Sequence, residues 1–160
     1  MIVCSQDKIL LNLLKTASRP LRQLPSALWD KRLDVALPVK AAGQKVFEIY
    51  DYGKITRFRA SSFESKEPET IDWIASFAPG DGLLDIGANV GVYSLYAASR
   101  GINVVALEPD ALNYALLNLN IRLNNFGKAI TPYLIAAHEE TKFSSFNISS
   151  YEWGGCLKFV

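Results

Sequence analysis

The chain has 160 residues, 49% hydrophobic and 21% charged, with a net charge of +1. That make-up fits a globular domain with a core of its own and excludes a disordered chain. The near-neutral charge offers no clustered basic face of the kind nucleic-acid binders carry, so no nucleic-acid partner is expected. Two cysteines, Cys4 and Cys156, lie at opposite ends, and His138 is the single histidine. Neither the usual zinc spacings nor a Ser-His-Asp arrangement can be built from these, so no metal is expected. The two thiols read as reduced in a cytoplasmic protein.

Near the start, Ile9-Leu10-Leu11 has no basic stretch before it and is interrupted by Asn12 and Lys15, which makes a poor secretory signal. No run approaches the roughly 20 apolar residues that span a bilayer. Over residues 7–17, Ile9, Leu10, Leu13, Leu14 and Ala17 share one helical face. The stripe is short and lacks an aromatic anchor, which favours packing on protein over lying on a membrane. Pro20 and Pro25 end the helical pattern.

Residues 45–50 alternate with period two, Asp51-Tyr52-Gly53-Lys54 reads as a turn, and residues 55–59 alternate again, which predicts a hairpin. Its aromatics, Phe47, Tyr50, Tyr52 and Phe58, are expected to pack. Ser65-Lys66-Glu67-Pro68 supplies a cap residue and an early proline for a helix through Ile71, Trp73, Ile74 and Phe77, stopped by Pro79-Gly80. The expected organisation is a helical segment over 1–42, a β-hairpin over 43–62 and an α/β domain over 63–160.

The most informative stretch is Leu83-Leu84-Asp85-Ile86-Gly87-Ala88-Asn89-Val90-Gly91-Val92-Tyr93-Ser94. It reads as a buried strand ending in an acid, a tight glycine turn, and a helix, the arrangement with which α/β proteins hold nucleotide-like ligands. The dinucleotide fingerprint wants glycines where this chain has Asn89 and Val92. Asn tolerates left-handed backbone, so the turn forms, but its bulk opposes a closely held pyrophosphate. A second apolar strand over 103–107 ends in Glu108, 17 residues after Gly91, where an acid binds ribose hydroxyls. An adenosine carrying an amino-acid tail in place of phosphates satisfies both observations, and S-adenosylmethionine is such a molecule.

Downstream, Asp110 caps a helix on which Leu112, Leu116, Leu119 and Leu123 recur, ending at Asn124-Asn125 and Gly127. Strands alternating with helices imply a parallel sheet joined by crossovers. The third strand, over 130–137, contains Pro132, which belongs at a sheet edge. Beyond it lie His138-Glu139-Glu140 and the aromatics Phe143, Phe146, Tyr151 and Trp153 before Gly154-Gly155, read as an aromatic hairpin.

The pattern of Asp85, Gly87, Asn89 and Gly91 resembles the first motif of class I S-adenosylmethionine-dependent methyltransferases. With Val92-Tyr93-Ser94 and Glu108-Pro109 it is similar, more narrowly, to the FkbM-type methyltransferases. The resemblance covers residues 63–160 and implies a Rossmann-like sheet of which this chain supplies the N-terminal part only, the third strand lying at an edge. It implies O-methylation of a hydroxyl on a small molecule or sugar. It places Asp85, Gly87, Ala88, Asn89 and Gly91 at the methionine part of S-adenosyl-L-methionine and Glu108 at the ribose. Glu67 is either a partner of the positively charged tail or simply a helix-start carboxylate, and Glu139 either lies near the adenine or is plain surface charge. Further strands are expected to follow in that family, so the chain reads as truncated, with a sheet edge open to an oligomer or partner. No residue stands out as a catalytic base. A non-catalytic or incomplete fragment and an NAD-dependent oxidoreductase are the alternatives.

Overall fold

The computed structural model describes residues 35–139, 154 and 155. The amphipathic stretch at 7–17, Cys4, Cys156 and the aromatics at 143–153 lie outside them. Among the described residues no helix is long and apolar enough to cross a membrane.

Strands β1 (Ala36–Ala41) and β2 (Gln44–Tyr50) form an antiparallel hairpin. Ala42 and Gly43 close it with φ of 50° and 77°, the double left-handed turn whose twist suits a two-residue hairpin. This corrects the sequence reading, which paired 45–50 with 55–59 and drew a boundary at residue 42. The segment after β2 is helix α1 (Lys54–Ser61). Its start is fixed by side chains: Asp51 Oδ1 accepts the Gly53 N–H at 3.0 Å, and Thr56 Oγ1 accepts the Tyr52 N–H at 2.9 Å while donating to the Gly53 carbonyl. Such local bonds favour helix initiation over a strand turn. The missed partner, β1, contains Pro38, which ordinarily argues against a strand. Pro38 is tolerated because it sits opposite Glu48, whose N–H and carbonyl both turn outward to the Asn124 side chain, at 2.8 and 2.7 Å. The ladder needs no N–H at that pair.

Helix α2 (Phe63–Lys66) leads to α3 (Pro68–Ala75). Ser65 does not cap α3 as expected; it lies within α2, its hydroxyl donating to Ser62 O. Pro68 holds the preceding Glu67 out of helix, at φ −142°, so Glu67 takes the cap position. The α/β part follows the expected order: β3 (Gly82–Ile86), α4 (Val92–Ser99), β4 (Asn103–Leu107), α5 (Ala111–Leu123) and β5 (Ile130–Tyr133), with β3, β4 and β5 parallel in that spatial order. Among the described residues β5 is an edge, and it carries Pro132, as its sequence demands, but it is half the expected length. Residues 134–137 leave the ladder.

Leu83, Val104, Ala106 and Ile130 bury one face of this sheet, in one core cluster with Leu95 of α4 and Leu116 and Leu117 of α5. The opposite face carries Leu84, Ile86, Val105 and Tyr133, 41 to 60% exposed. Period-two alternation explains the division: successive strand side chains point to opposite faces. Asp110 caps α5 as predicted, its Oδ1 accepting the Asn113 N–H at 2.9 Å. On α5, Asn120 accepts the Tyr50 N–H at 2.9 Å and donates to the Val90 carbonyl at 2.8 Å. With Asn124 it satisfies the outer edge of β2, where no third strand pairs among the described residues.

Candidate functional site

The turn between β3 and α4 is built around three residues in backbone conformations that few side chains adopt. Gly87 has φ +79° and no atom within 4 Å of where a Cβ would project, so the chain there faces open space. Asn89 has φ +54°, the left-handed conformation expected of it. Its Oδ1 accepts the following Val90 N–H at 2.9 Å, stabilising that conformation. Gly91 is also left-handed, at φ 91°, but a Cβ there would collide with Leu117. Its role is close packing of the turn on α5.

Every N–H of the turn already has a partner. Gly87 and Ala88 both donate to the Leu107 carbonyl, at 2.8 and 3.0 Å. Asn89 donates to Glu108 Oε2 at 2.6 Å, Val90 to Asn89 Oδ1, and Gly91 to the Ala88 carbonyl at 2.9 Å. A phosphate-binding turn works by presenting unpaired N–H groups to the anion. Residues 87–91 have none left to present; the N–H groups of Val92 and Tyr93, in the uncapped first turn of α4, remain. The bulk of Asn89 opposes a pyrophosphate, and the pairing of the five amides from Gly87 to Gly91 leaves it no donor inside the turn itself.

Glu108 stands at the carboxyl end of β4, 2% exposed. Its Oε1 accepts the Asp110 N–H at 2.8 Å, so both oxygens are engaged, each with a second lone pair remaining. Burial raises its pKa, and the Asp110 and Asn89 amides oppose the rise. Asp85, at the carboxyl end of β3, accepts the Ser94 hydroxyl at 2.6 Å. Its pKa too is raised by burial, against the pull of Ser94.

A cleft of about 560 Å³ opens over the carboxyl ends of β3 and β4, within the size range of small-molecule sites. Asp85, Gly87, Asn89 and Glu108 line it, together with Arg59, Lys66, Glu67, Tyr93 and Ala137. A second hollow, over Leu84, Val105 and Thr131, lies on the exposed sheet face and shares none of these residues. Strand carboxyl ends are where open α/β sheets bind ligands, which favours the first.

Of the six expected cofactor residues, four meet at the cleft. Ala88 and Gly91 do not line it. Ala88 is 6% exposed within the core, and the Gly91 α-carbon faces Leu117, so both shape the turn from behind. Glu67 does line the cleft. Lys66 Nζ lies 3.1 Å from its Oε1, and hydrogen bonds from Lys66 and then Tyr93 lower its pKa. The Tyr93 phenol is pushed up by burial and by Glu67, so it stays protonated. Glu139 is exposed and lies beyond the last lining residue, Ala137, because the chain leaves the sheet at Tyr133. His138 is likewise exposed.

Arg59, Lys66 and Tyr93 escaped the sequence reading. Arg59 sits in the segment misread as a strand, and Tyr93 follows the turn at the start of α4. A helix pattern through 54–61 would have brought Arg59 forward.

No family model matches the sequence, and no curated protein sequence matches it. Solved structures do match. The M. jannaschii tRNA m1G37 methyltransferase is 18% identical with a TM-score of 0.45, the match covering 62% of this chain and 30% of that one. A SAM-dependent methyltransferase from Agrobacterium tumefaciens is 19% identical with a TM-score of 0.46, over 62% and 32% of the two chains. One from Geobacter sulfurreducens, in complex with S-adenosyl-L-homocysteine, is 18% identical with a TM-score of 0.37, over 54% and 38%. The chain thus spans about a third of the length of these matched proteins.

Proposed function

We propose that the cleft binds S-adenosyl-L-methionine and that the chain is the cofactor-binding part of a methyltransferase. The observation that carries this reading is the turn with all five N–H groups satisfied, set between two carboxylates. An NAD-type ligand needs donors for its pyrophosphate. A phosphate-free adenosine with a cationic tail needs acceptors, and the cleft offers Asp85, Glu67 and Glu108. Glu108 accepts the ribose hydroxyls through its free lone pairs. Gly87 admits the ligand to within contact of the backbone, and Glu67, held ionised by Lys66 and Tyr93, takes the ammonium of the amino-acid tail. When bound, the cofactor supplies a methyl group activated on a sulfonium; the protein aligns it with the acceptor and excludes water.

The resemblance to FkbM-type enzymes supports a hydroxyl of a small molecule or sugar as the acceptor; the two cysteines support a cytoplasmic protein, and the net charge of +1 one without a nucleic-acid partner. A second reading, binding without catalysis, is favoured by one observation. The three carboxylates lining the cleft are all assigned to the cofactor, and the one histidine, His138, is exposed and does not line it, so among the described residues no side chain is left at the cleft as a general base for an acceptor. A radiolabelled methyl-transfer assay on the full chain, with a panel of hydroxylated small molecules and sugars and with tRNA as a separate arm, tests the proposal. Label in a hydroxylated acceptor supports it; label in tRNA overturns the acceptor class; binding without transfer establishes the second reading.

A further inference from the structure

Two residues far along the chain, Gly154 and Gly155, are held against the turn by side chains from three places in the fold. Asn113 of α5, 2% exposed, accepts the Gly154 N–H on Oδ1 at 2.8 Å and donates from Nδ2 to the Gly155 carbonyl at 3.1 Å. Asn89, in the turn itself, donates from Nδ2 to that same carbonyl at 2.7 Å. Arg59 of α1 donates twice to the Gly154 carbonyl, at 2.9 and 2.7 Å. The dipeptide must be glycine at 154: its φ is +81°, and a Cβ would stand 3.2 Å from Ile55 Cγ2 and 3.4 Å from Arg59 Nε.

The Gly155 carbonyl fixes the Asn89 amide, and this has a consequence at the other end of that side chain. With Nδ2 anchored, Oδ1 is turned to the Val90 N–H, and the left-handed backbone at Asn89 is locked. That conformation points the Asn89 N–H at Glu108 Oε2. Without an anchor, a left-handed Asn has extended and helical alternatives that cost little or are favourable, and Glu108 loses a partner that orients it. We propose that Asn113 is a positioning residue for the cofactor turn, acting through the Gly155 carbonyl and Asn89 on the carboxylate of Glu108. The chain of contacts stands on the geometry; its effect on S-adenosyl-L-homocysteine affinity rests on the proposed function.

The test is amide hydrogen exchange by NMR on the full chain, with calorimetric titration of S-adenosyl-L-homocysteine beside it, for Asn113→Ala, Asn89→Gly and the double substitution. Asn113→Ala should speed exchange of the residue-89 amide about tenfold, the loss of one hydrogen bond's worth of protection, and weaken the ligand by a similar factor. The Val104 amide, inside the sheet, should be unmoved. Glycine adopts the left-handed conformation without an anchor, so on the Asn89→Gly background the alanine at 113 should change neither quantity. A merely structural role for Asn113 would give the same losses on both backgrounds, or move Val104 as well, and either result overturns the proposal. So does an unchanged residue-89 amide in Asn113→Ala. Should that variant unfold, Arg59→Lys, which loosens the dipeptide from its other side, is read by the exchange criteria alone, because Arg59 also lines the cleft. If the unsubstituted chain binds no S-adenosyl-L-homocysteine, the functional reading fails, and the exchange rates still decide the positioning role.

Discussion

Glu108 accepts the backbone N–H of Asn89 at 2.6 Å, so the acid at the end of β4 is tied directly to the turn that follows β3. The same carboxylate reaches forward to Asp110, the cap of α5. One side chain therefore joins the floor of the cleft to both segments that frame it. Glu108→Ala should lower affinity for S-adenosyl-L-homocysteine by about 1–3 kcal/mol and lower stability by a comparable amount, since two buried amides lose their acceptor. A 2′,3′-dideoxyribose analogue separates the two effects. If Glu108 reads the ribose, the substitution costs less affinity for the analogue than for the natural ligand; equal losses would show that Glu108 acts only on the turn.

The glycines of the turn should fail in different ways. Gly87→Val places a branched side chain in the open cleft at positive φ, abolishing ligand binding at a stability cost on the order of 1–2 kcal/mol from backbone strain. Gly91→Ala meets Leu117 inside the packing of the turn on α5. It should unfold the protein at lower temperature, and restoring space with Leu117→Ala should recover part of the loss. Thermal melts and titration on both variants check the contrast. Equal melting temperatures with equal loss of binding would contradict it.

Asp85 is a carboxylate whose raised pKa comes chiefly from burial, so the folded state holds its proton more tightly than the unfolded chain does. Its ionisation therefore costs stability in full above the folded pKa; the cost shrinks as the pH falls below that value and is gone below the unfolded pKa. Asp85→Asn removes the charge and keeps an acceptor for Ser94. The variant should melt higher than the unsubstituted protein at neutral pH, with the gap closing on acidification, and should bind the cationic ligand more weakly. A gap that widens on acidification would contradict the assignment. Glu67 behaves oppositely: lowered chiefly by Lys66, it contributes stability present above its unfolded pKa and lost as the pH falls through the folded one, screened by its exposure.

Asn120 is fully buried and serves two strangers, the Tyr50 N–H and the Val90 carbonyl. Asn120→Ala should destabilise by about 2–4 kcal/mol, because both groups stay buried without partners. Asn118→Ala, on the same helix, removes only a bond to the Tyr114 carbonyl and should cost less than about 1 kcal/mol. Denaturant melts of the pair decide the point.

Much of this site was legible in the sequence, for identifiable reasons. Asp85, Gly87, Asn89 and Glu108 are fixed by a strand–turn–strand pattern whose chemistry is local, and the structure brings all four together. Pro132 marked the edge strand and Asp110 the helix start, each through a property of one residue. What escaped was non-local. β1 hides behind Pro38, acceptable only because Asn124, far along the chain, takes the backbone of Glu48. Thr56 and Asp51 turned an alternating stretch into helix through side-chain bonds that periodicity does not register. The asparagines of α5 and the Gly154-Gly155 contact have no signature at all in a pattern of apolar residues, because their partners lie dozens of positions away.

With the five N–H groups of residues 87–91 all taken, the cleft should select an adenosine ligand without phosphates over a dinucleotide. Calorimetric titration of the full chain with S-adenosyl-L-homocysteine and, separately, with NAD tests it most directly. The account predicts saturable binding of S-adenosyl-L-homocysteine, lost in Gly87→Val, and no heat with NAD. Binding of NAD at the same site, with S-adenosyl-L-homocysteine inert, would contradict it.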